Sequence, residues 1–587
     1  MKKTFLLSCL MLAAMPVMAA YTGHVYVDKN KNGVFDQSEK PLAGIKVSDG
    51  LNVVETAADG SFTLPGHERE RFIFITTPSG YKTFNRHYHK IEKKQSGYDF
   101  GLIPYSGRIR KNGSHRYIHI ADTEIFNTEN HADWVNNVRD YARNEQAAFI
   151  IHTGDICYEK GLKAHIKLMN TENMDCPVFY CIGNHDLVKG KYGEELFESI
   201  YGPVYYSFDA GNVHYVVTPM PGGDHAPGYT SDDVCRWLKN DLAHIRPGTP
   251  VVVFNHDLLT YEDTFIFKSK NAGSINLNEY NLKAWVYGHW HINYMKKQGD
   301  VYSVCTSSLD KGGIDHSTTA FRVMHVDSKG DFTSELRYTY LDKNICIASP
   351  AGVMASGVLP VAVNVYSSVS PVREVLYTCL ADGKPVLKNK RLLQSTDWSW
   401  NGELPLSHKY VGKELTLRVT ARFNNGEIAE AESHFICRTE KAVPLFSADW
   451  DNLSGNAKHS APVSAPLNLP LQLAWTNNVG ANLYMTSPLI HKGKVIVASV
   501  DEDLKGAGHV YALNGKDGTI LWSCPVRNSI KNSIAVDSDI VFAQDAQGFL
   551  YAIDTETGKL CWEKQLPVNG LPALIDGLVA GEGVVYA

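Results

Sequence analysis

Five apolar runs in this chain each end in a polar cluster. Tyr117–Ala121 runs into Asp122-Thr123-Glu124, Phe149–Thr153 into Gly154-Asp155, and Val178–Ile182 into Gly183-Asn184-His185-Asp186. Val251–Asn255 runs into His256-Asp257, and Ala284–Tyr287 into Gly288-His289-Trp290-His291. The clusters supply Asp122, Glu124, Asp155, Asn184, His256, His289 and His291. Carboxylate and imidazole donors suit Zn, Mn or Fe ahead of Ca. This set exceeds the needs of one ion and suits two, about 3.5–4 Å apart. A metal lowers the pKa of bound water from 15.7 to about 7, which gives a nucleophile at neutral pH. Paired cations also neutralise charge on phosphoryl oxygens during in-line attack.

For that chemistry the clusters must converge, although they are far apart in sequence. In α/β sheets ligands bind beyond the carboxyl ends of the strands, and glycine allows the sharp exits that the clusters need. From about residue 115 to 345 apolar strands alternate with helical segments. The helical segments include His131–Arg143 and Asp232–Ile245, the latter led by Thr230 and Ser231 as N-cap candidates. Strand–helix alternation argues α/β. Residues 21–105 alternate apolar and polar residues between turn clusters at Ser48-Asp49-Gly50, Asp59-Gly60 and Pro65-Gly66, the pattern of a small antiparallel sandwich. Residues 346–440 return to strands, as in Val361–Tyr366 and Leu415–Ala421, and read as a second sandwich.

Residues 441–587 contain a repeat. Gly508, Tyr511, Gly518 and Trp522 recur at a 40-residue offset as Gly548, Tyr551, Gly558 and Trp562. The length suits a four-stranded propeller blade. The strand Lys494–Ala498 returns near Ile540–Ala543 and again at Gly583–Ala587, so the sequence stops inside a third repeat. Two blades and a fragment predict a truncated chain, a missing segment or a partner that completes the propeller, with a small open sheet docked on the neighbouring sandwich as the alternative. A chain ending near residue 440 is then expected to fold and work by itself.

The clusters between 115 and 340 resemble a calcineurin-like metallophosphoesterase, whose pattern runs Asp-x-His, Gly-Asp, Gly-Asn-His-Asp/Glu, His and Gly-His-x-His. The last four blocks are complete and in order. The resemblance implies that Asp122 and His291 bind one metal, that Asp155 bridges, and that Asn184, His256 and His289 bind the other. It implies that His185 stabilises the transition state or protonates the leaving oxygen, with Asp186 orienting its ring. Glu124 stands where the family usually has His. The tail resembles the pyrroloquinoline-quinone-type propeller repeat, and no quinone is assigned to it. The flanking sandwiches resemble accessory domains of some bacterial members. The implied fold class is a multidomain α/β and all-β chain. Its catalytic α/β sandwich (106–345) is flanked by β-sandwiches at 21–105 and 346–440, with an incomplete propeller over 441–587.

Other residues carry weaker signals. His119, His152 and His214 lie inside strands and read as structural. Thr306–His316 is open between a substrate-facing and a plain surface loop, and Tyr158, His225 and Tyr229 are minor substrate candidates. Asp28, Asn30, Asn32, Asp36 and Glu39, with Gly33 at the sixth position, fit a twelve-position calcium loop set between strands. A solvated Asn/Gly-rich turn is the alternative.

Lys2 and Lys3 followed by an apolar run from Phe5 to Met15, with small residues near Ala19-Ala20, read as an export signal over 1–20. The chain is therefore expected in the periplasm, at the cell surface or in the medium, and no transmembrane anchor is read from it. Across 587 residues, 57 basic and 63 acidic residues nearly balance, so no nucleic-acid-binding patch is expected. Among the 11 cysteines no Cys-x-x-Cys pair occurs, and Cys157, Cys176, Cys181 and Cys305 read as small core residues. The expected function is an exported hydrolase of phosphoric mono- or diesters that uses two transition-metal ions (Mn, Fe or Zn). The alternative is a non-catalytic surface-binding protein with a decayed site.

Overall fold

The computed structural model describes residues 20–95, 97–440, 449–460, 469, 471–567, 572 and 577–587. The expected export signal lies outside the described residues, apart from its last position.

Two sheets form the centre of the molecule. The first has the order Val178–Tyr180, Phe149–His152, His115–Ile120, Ala320–Val326, Phe332–Tyr338. Its first three strands run parallel and the last two are antiparallel. The second has the order Tyr206–Ala210, Val213–Val217, Val251–Phe254, Leu282–Tyr287, Val301–Cys305, Tyr294–Gln298, and its four middle strands are parallel. An aromatic layer joins the sheets. Phe149 of the first sheet meets Phe208 at 5.0 Å and Tyr215 at 5.0 Å, and Tyr117 meets Phe254 at 5.7 Å between ring centres. The strands therefore do not make one open sheet: the five site strands divide three and two between facing sheets. Apolar runs predict strands, but they do not say which sheet each one joins.

Helices cover the outer faces. Ala132–Asn144 buries Trp134, Val135, Val138, Tyr141 and Ala142 on one stripe. Ser231–Leu242 begins with a capping box, in which Thr230 and Asp233 satisfy each other's backbone amides. Both helices fall within a few residues of where the sequence predicts them.

The N-terminal region forms two sheets, but it is not purely antiparallel. Tyr21–Val27 pairs parallel with Phe100–Pro104, because the chain crosses over and returns beside its first strand. Alternation sets which face is buried and carries no information on strand direction. Residues 344–438 form a second sandwich of four- and five-stranded sheets around Val361, Val363, Leu417, Val419 and Phe435.

The tail builds two four-stranded sheets, from Leu489 to Pro525 and from Ala535 to Gln565, followed by a hairpin from Val579 to Tyr586. Consecutive units are joined by tryptophan. Trp475 Nε1 donates to Gly515 O at 2.8 Å, and Trp522 Nε1 donates to Thr555 O at 3.0 Å. Gly518 and Gly558 leave room for those rings, since a Cβ there would fall within 3 Å of the indoles. Trp475 thus belongs to the same series, one unit earlier than the repeat read from the sequence. Trp522 is 9% exposed beneath the second sheet, whereas Trp562 is 43% exposed.

The tail packs on the central sheets and also touches the neighbouring sandwich, where Asn478 Nδ2 donates to Ser399 Oγ at 2.7 Å and Leu473 rests on the sandwich core. Arg322, on the first central sheet and fully buried, donates to Asp503 Oδ1 at 2.6 Å, and Asn528 Nδ2 donates to Met295 O at 3.0 Å.

Candidate metal centre

The polar clusters meet where the parallel strands of both sheets end. Asp122 and Asp155 leave adjacent strands of the first sheet, while His256, His289 and His291 leave adjacent strands of the second. His256 Nε2 lies 3.1 Å from Asp155 Oδ2, 3.2 Å from Asn184 Oδ1 and 4.0 Å from Asp122 Oδ1. His291 Nε2 lies 3.5 Å from both Asp122 Oδ1 and Glu124 Oε1. Ligand atoms of Asp155, His256 and His289 fall within 4.8 Å of one another, as do those of Glu124, Asp155 and Cys157.

Backbone geometry makes this convergence possible. Asp122, Glu124, Asp155, Cys157, Tyr158, His289 and His291 all adopt positive φ between 43° and 72°. Non-glycine residues seldom occupy that region, and such strain gathers at functional sites. The motif glycines provide clearance. A Cβ on Gly154, whose φ is 93°, would come 2.6 Å from His256 Nδ1, and one on Gly183 would come 2.2 Å from Asp155 Oδ1.

The donor set fits metal ions. His256 Nδ1 donates to Thr153 O at 2.7 Å, which directs Nε2 at Asp155 and Asn184, where a cation would take the place of its proton. Metal-binding histidines are oriented in this way by a carbonyl on the other nitrogen. Asp122 is fully buried, and its carboxylate accepts the His289 amide, at 3.0 and 3.1 Å. Burial pushes Asp122 well above the usual carboxylate range, against the pull of His256. Burial alone would depress His256, yet Asp155 and Asp122 lift it to about 9. The floor of this site therefore calls for positive charge, which a cation supplies.

His185 lies on the rim. Its amide donates to Asp155 Oδ1 at 3.0 Å, and its ring Nδ1 hydrogen-bonds Asp224 Oδ2 at 2.8 Å. This corrects the expected role of Asp186. The Asp186 carboxylate is fully buried and accepts the amides of Gly183 and Cys157, at 2.9 and 2.8 Å. It holds the turn and does not orient the ring. Partial burial lowers the His185 pKa, but the Asp224 hydrogen bond and the charge of Asp155 raise it by more. Asp224 was not singled out from the sequence, because it sits in an irregular loop 39 residues from its partner.

Glu124 is paired as well as placed. Lys311 Nζ lies 2.9 Å from Glu124 Oε2 and 3.2 Å from Glu124 O. The Thr306–His316 segment therefore reaches the site, through Lys311. Asp257 accepts from Trp290 Nε1 at 3.1 Å and so braces the loop that carries His289 and His291. The Tyr158 ring, 44% exposed, sits 5.3 Å from the His185 ring. Tyr229 is buried with its hydroxyl donated to Met220 O, which corrects its reading as a substrate contact. His119 and His152 are buried and bonded to Thr153 and Thr123, and His214 is buried between Asp209 and Asp241. Cys157, Cys176, Cys181 and Cys305 are buried free thiols.

Residues 115–293 match the family model described as calcineurin-like phosphoesterase. This chain carries a calcineurin-like phosphoesterase domain. Residues 29–104 match the N-terminal region of calcineurin-like phosphoesterase, and residues 472–586 match the model named for the outer membrane protein assembly factor BamB. Purple acid phosphatase 13 of Arabidopsis thaliana is 26% identical over 215 residues, covering 34% of this chain. The chain spans 36% of the length of that relative. A conserved protein of Streptococcus pneumoniae TIGR4, titled a predicted phosphoesterase, is 11% identical with a TM-score of 0.19; the match covers 38% of this chain and 98% of that one. BamB from Moraxella catarrhalis is 12% identical with a TM-score of 0.15, covering 47% and 77%. Among the described residues no helix is long and apolar enough to cross a membrane.

Proposed function

We propose that this protein hydrolyses phosphoric mono- or diesters outside the cytoplasm, with two transition-metal ions held by Asp122, Glu124, Asp155, Asn184, His256, His289 and His291. The observation that carries this reading is the convergence of the buried Asp122, Asp155 and His256 from two separate sheets onto one point. When bound, such ions supply an activated water near neutral pH and offset charge on the phosphoryl oxygens. The protein residues do the rest. Asp155 lies within reach of both halves of the cluster, since its carboxylate is within 4.8 Å of ligand atoms of Glu124 and Cys157 and also of His256 and His289. His185 stands at the rim with Nδ1 on Asp224, so its free Nε2 is placed to give a proton to a departing alkoxide. The export leader read in the sequence supports an extracytoplasmic location.

The test is hydrolysis of p-nitrophenyl phosphate and its bis ester by protein reconstituted with Mn²⁺, Zn²⁺ or Fe. Activity that needs metal and vanishes in Asp155→Ala supports the reading. Metal-independent turnover equal in both proteins would sink it, and no turnover with any of these metals would leave the surface-binding alternative.

A calcium role for residues 28–39 has its own support. Asp28 and Glu39 are 1% and 7% exposed, and Asp36 Oδ2 gathers the side-chain amides of Asn30 and Asn32 at 2.7 and 3.1 Å. The expected result is a calcium-dependent rise in melting temperature that Glu39→Ala removes. No rise at millimolar calcium leaves the loop as a turn held by its own hydrogen bonds.

A further inference from the structure

The tail contributes a charge to the interior of the phosphoesterase domain. Lys531 lies between strands Ile520–Pro525 and Ala535–Asp537 and is 4% exposed. Its Nζ donates to Asn293 O at 2.6 Å and Asp315 Oδ2 at 2.7 Å, and lies 2.7 Å from Glu502 Oε1. An ammonium has three protons, and here it meets three oxygens. Two belong to the catalytic domain and one to the tail. Burying such a group is costly unless it is paired and fully hydrogen-bonded. Burial lowers its pKa, but Glu502 and Asp315 raise it by more, so it stays charged.

Both catalytic-domain partners lead to the metal centre. Asn293 is two residues beyond His291. Asp315 is fully buried, and its other oxygen accepts the amide and hydroxyl of Ser317 at 3.1 and 2.6 Å. In the same loop the amide of Ile314 donates to His291 O at 2.9 Å. Four residues before Asp315, Lys311 reaches Glu124. One loop therefore connects the tail to two candidate ligands. A buried apolar contact would join the domains equally well, whereas two directed hydrogen bonds, to Asn293 and Asp315, also fix where the loop sits.

We propose that the C-terminal repeats complete the candidate metal centre, with Lys531 as a positioning residue that holds the Asp315 loop so that Lys311 neutralises Glu124. Glu124 adds a negative charge where the family pattern has an imidazole, and Lys311 offsets it. The idea rests on the phosphoesterase reading for its effect on activity, but not for its effect on the loop.

The experiment uses the full chain, with hydrogen exchange and kinetics measured on Lys531→Met and Lys531→Arg. Amides of the 309–318 segment should exchange about tenfold faster in Lys531→Met, while the Phe149–His152 strand keeps its protection. KM for p-nitrophenyl phosphate should rise more than kcat falls, and Lys531→Arg should recover part of both. Should Lys531→Met fail to fold, Glu502→Gln, which keeps the hydrogen-bonding shape without the charge, gives the same readout. Parent-like exchange at 309–318 in a folded variant overturns the proposal. Faster exchange in a protein that shows no phosphoesterase activity upholds the clamp and removes the function instead.

Discussion

The floor and the rim of the metal centre are built differently. On the floor, Asp122, Asp155 and His256 are 0%, 2% and 0% exposed, and backbone groups fix all three: the His289 amide, the His185 amide and the Thr153 carbonyl. On the rim, Glu124 and His185 are about a quarter to a third exposed and are held by side chains, Lys311 and Asp224, from distant loops. Backbone partners come with the local fold and cannot be exchanged by substitution. Side-chain partners can be. On the proposed function, the floor is therefore expected to set whether the chemistry occurs, and the rim how fast and with which metal.

The largest effect should come from the floor. Asp155→Ala removes the one carboxylate shared by both halves of the cluster, and should leave no turnover above background and less than one ion per chain by elemental analysis. If it keeps metal and rate, the floor is not the reactive part and the contrast fails.

His185→Ala comes next. It should retain metal and lose about 10²–10⁴-fold in kcat, the usual contribution of a general acid. Substrates with a good leaving group need less protonation, so the loss should shrink for p-nitrophenyl phosphate and grow for an alkyl phosphate. Equal losses on both would assign His185 to charge stabilisation instead.

Asp224→Asn separates the rim from the turn beneath it. Removing a partner that orients a reactive side chain costs about 10–100-fold. Burial lowers the His185 pKa, and Asp224 together with the charge of Asp155 raises it by more. Without Asp224 that pKa falls, the protonated fraction drops first at higher pH, and the basic limb of the kcat profile moves to lower pH. Asp186→Asn should instead lower the melting temperature, because its carboxylate accepts the amides of Gly183 and Cys157. A shift of the basic limb in Asp186→Asn and not in Asp224→Asn would reverse this assignment.

The same contrast explains how much was legible in the sequence. Floor residues follow apolar runs and glycines at short, recognisable spacing, because a strand end fixes both the residue and its neighbours. Gly154 and Gly183 are readable for the same reason, since a side chain at either would strike the floor. Asp224, Lys311 and Lys531 left no such mark: each acts through one contact made across a loop or between domains. The crossover that sets Phe100–Pro104 parallel to the first strand was hidden too, because alternation reports faces and not direction. Trp475 was missed as a repeat member because only its tryptophan and the small turn it caps are shared with the later units.

The smallest effect should be at Glu124, and it is the most discriminating. Its carboxylate sits 3.5 Å from His291 and 2.9 Å from Lys311, so it has two possible tasks: to hold an ion, or to hold Lys311. The two tasks separate by substitution. If Glu124 is a ligand, Glu124→Ala lowers metal content toward one ion per chain and slows turnover, and Glu124→His restores content while shifting preference toward Zn²⁺, in keeping with the softer imidazole donor. Lys311 is then left without its carboxylate, so the Glu124→His protein should improve further with Lys311→Met, which removes the excess positive charge. If Glu124 serves only to anchor Lys311, metal content stays at the parent level in every variant, and Lys311→Met alone reproduces Glu124→Ala. Elemental analysis and rates for these four proteins decide between a rim that binds metal and a rim that only shapes the field around it.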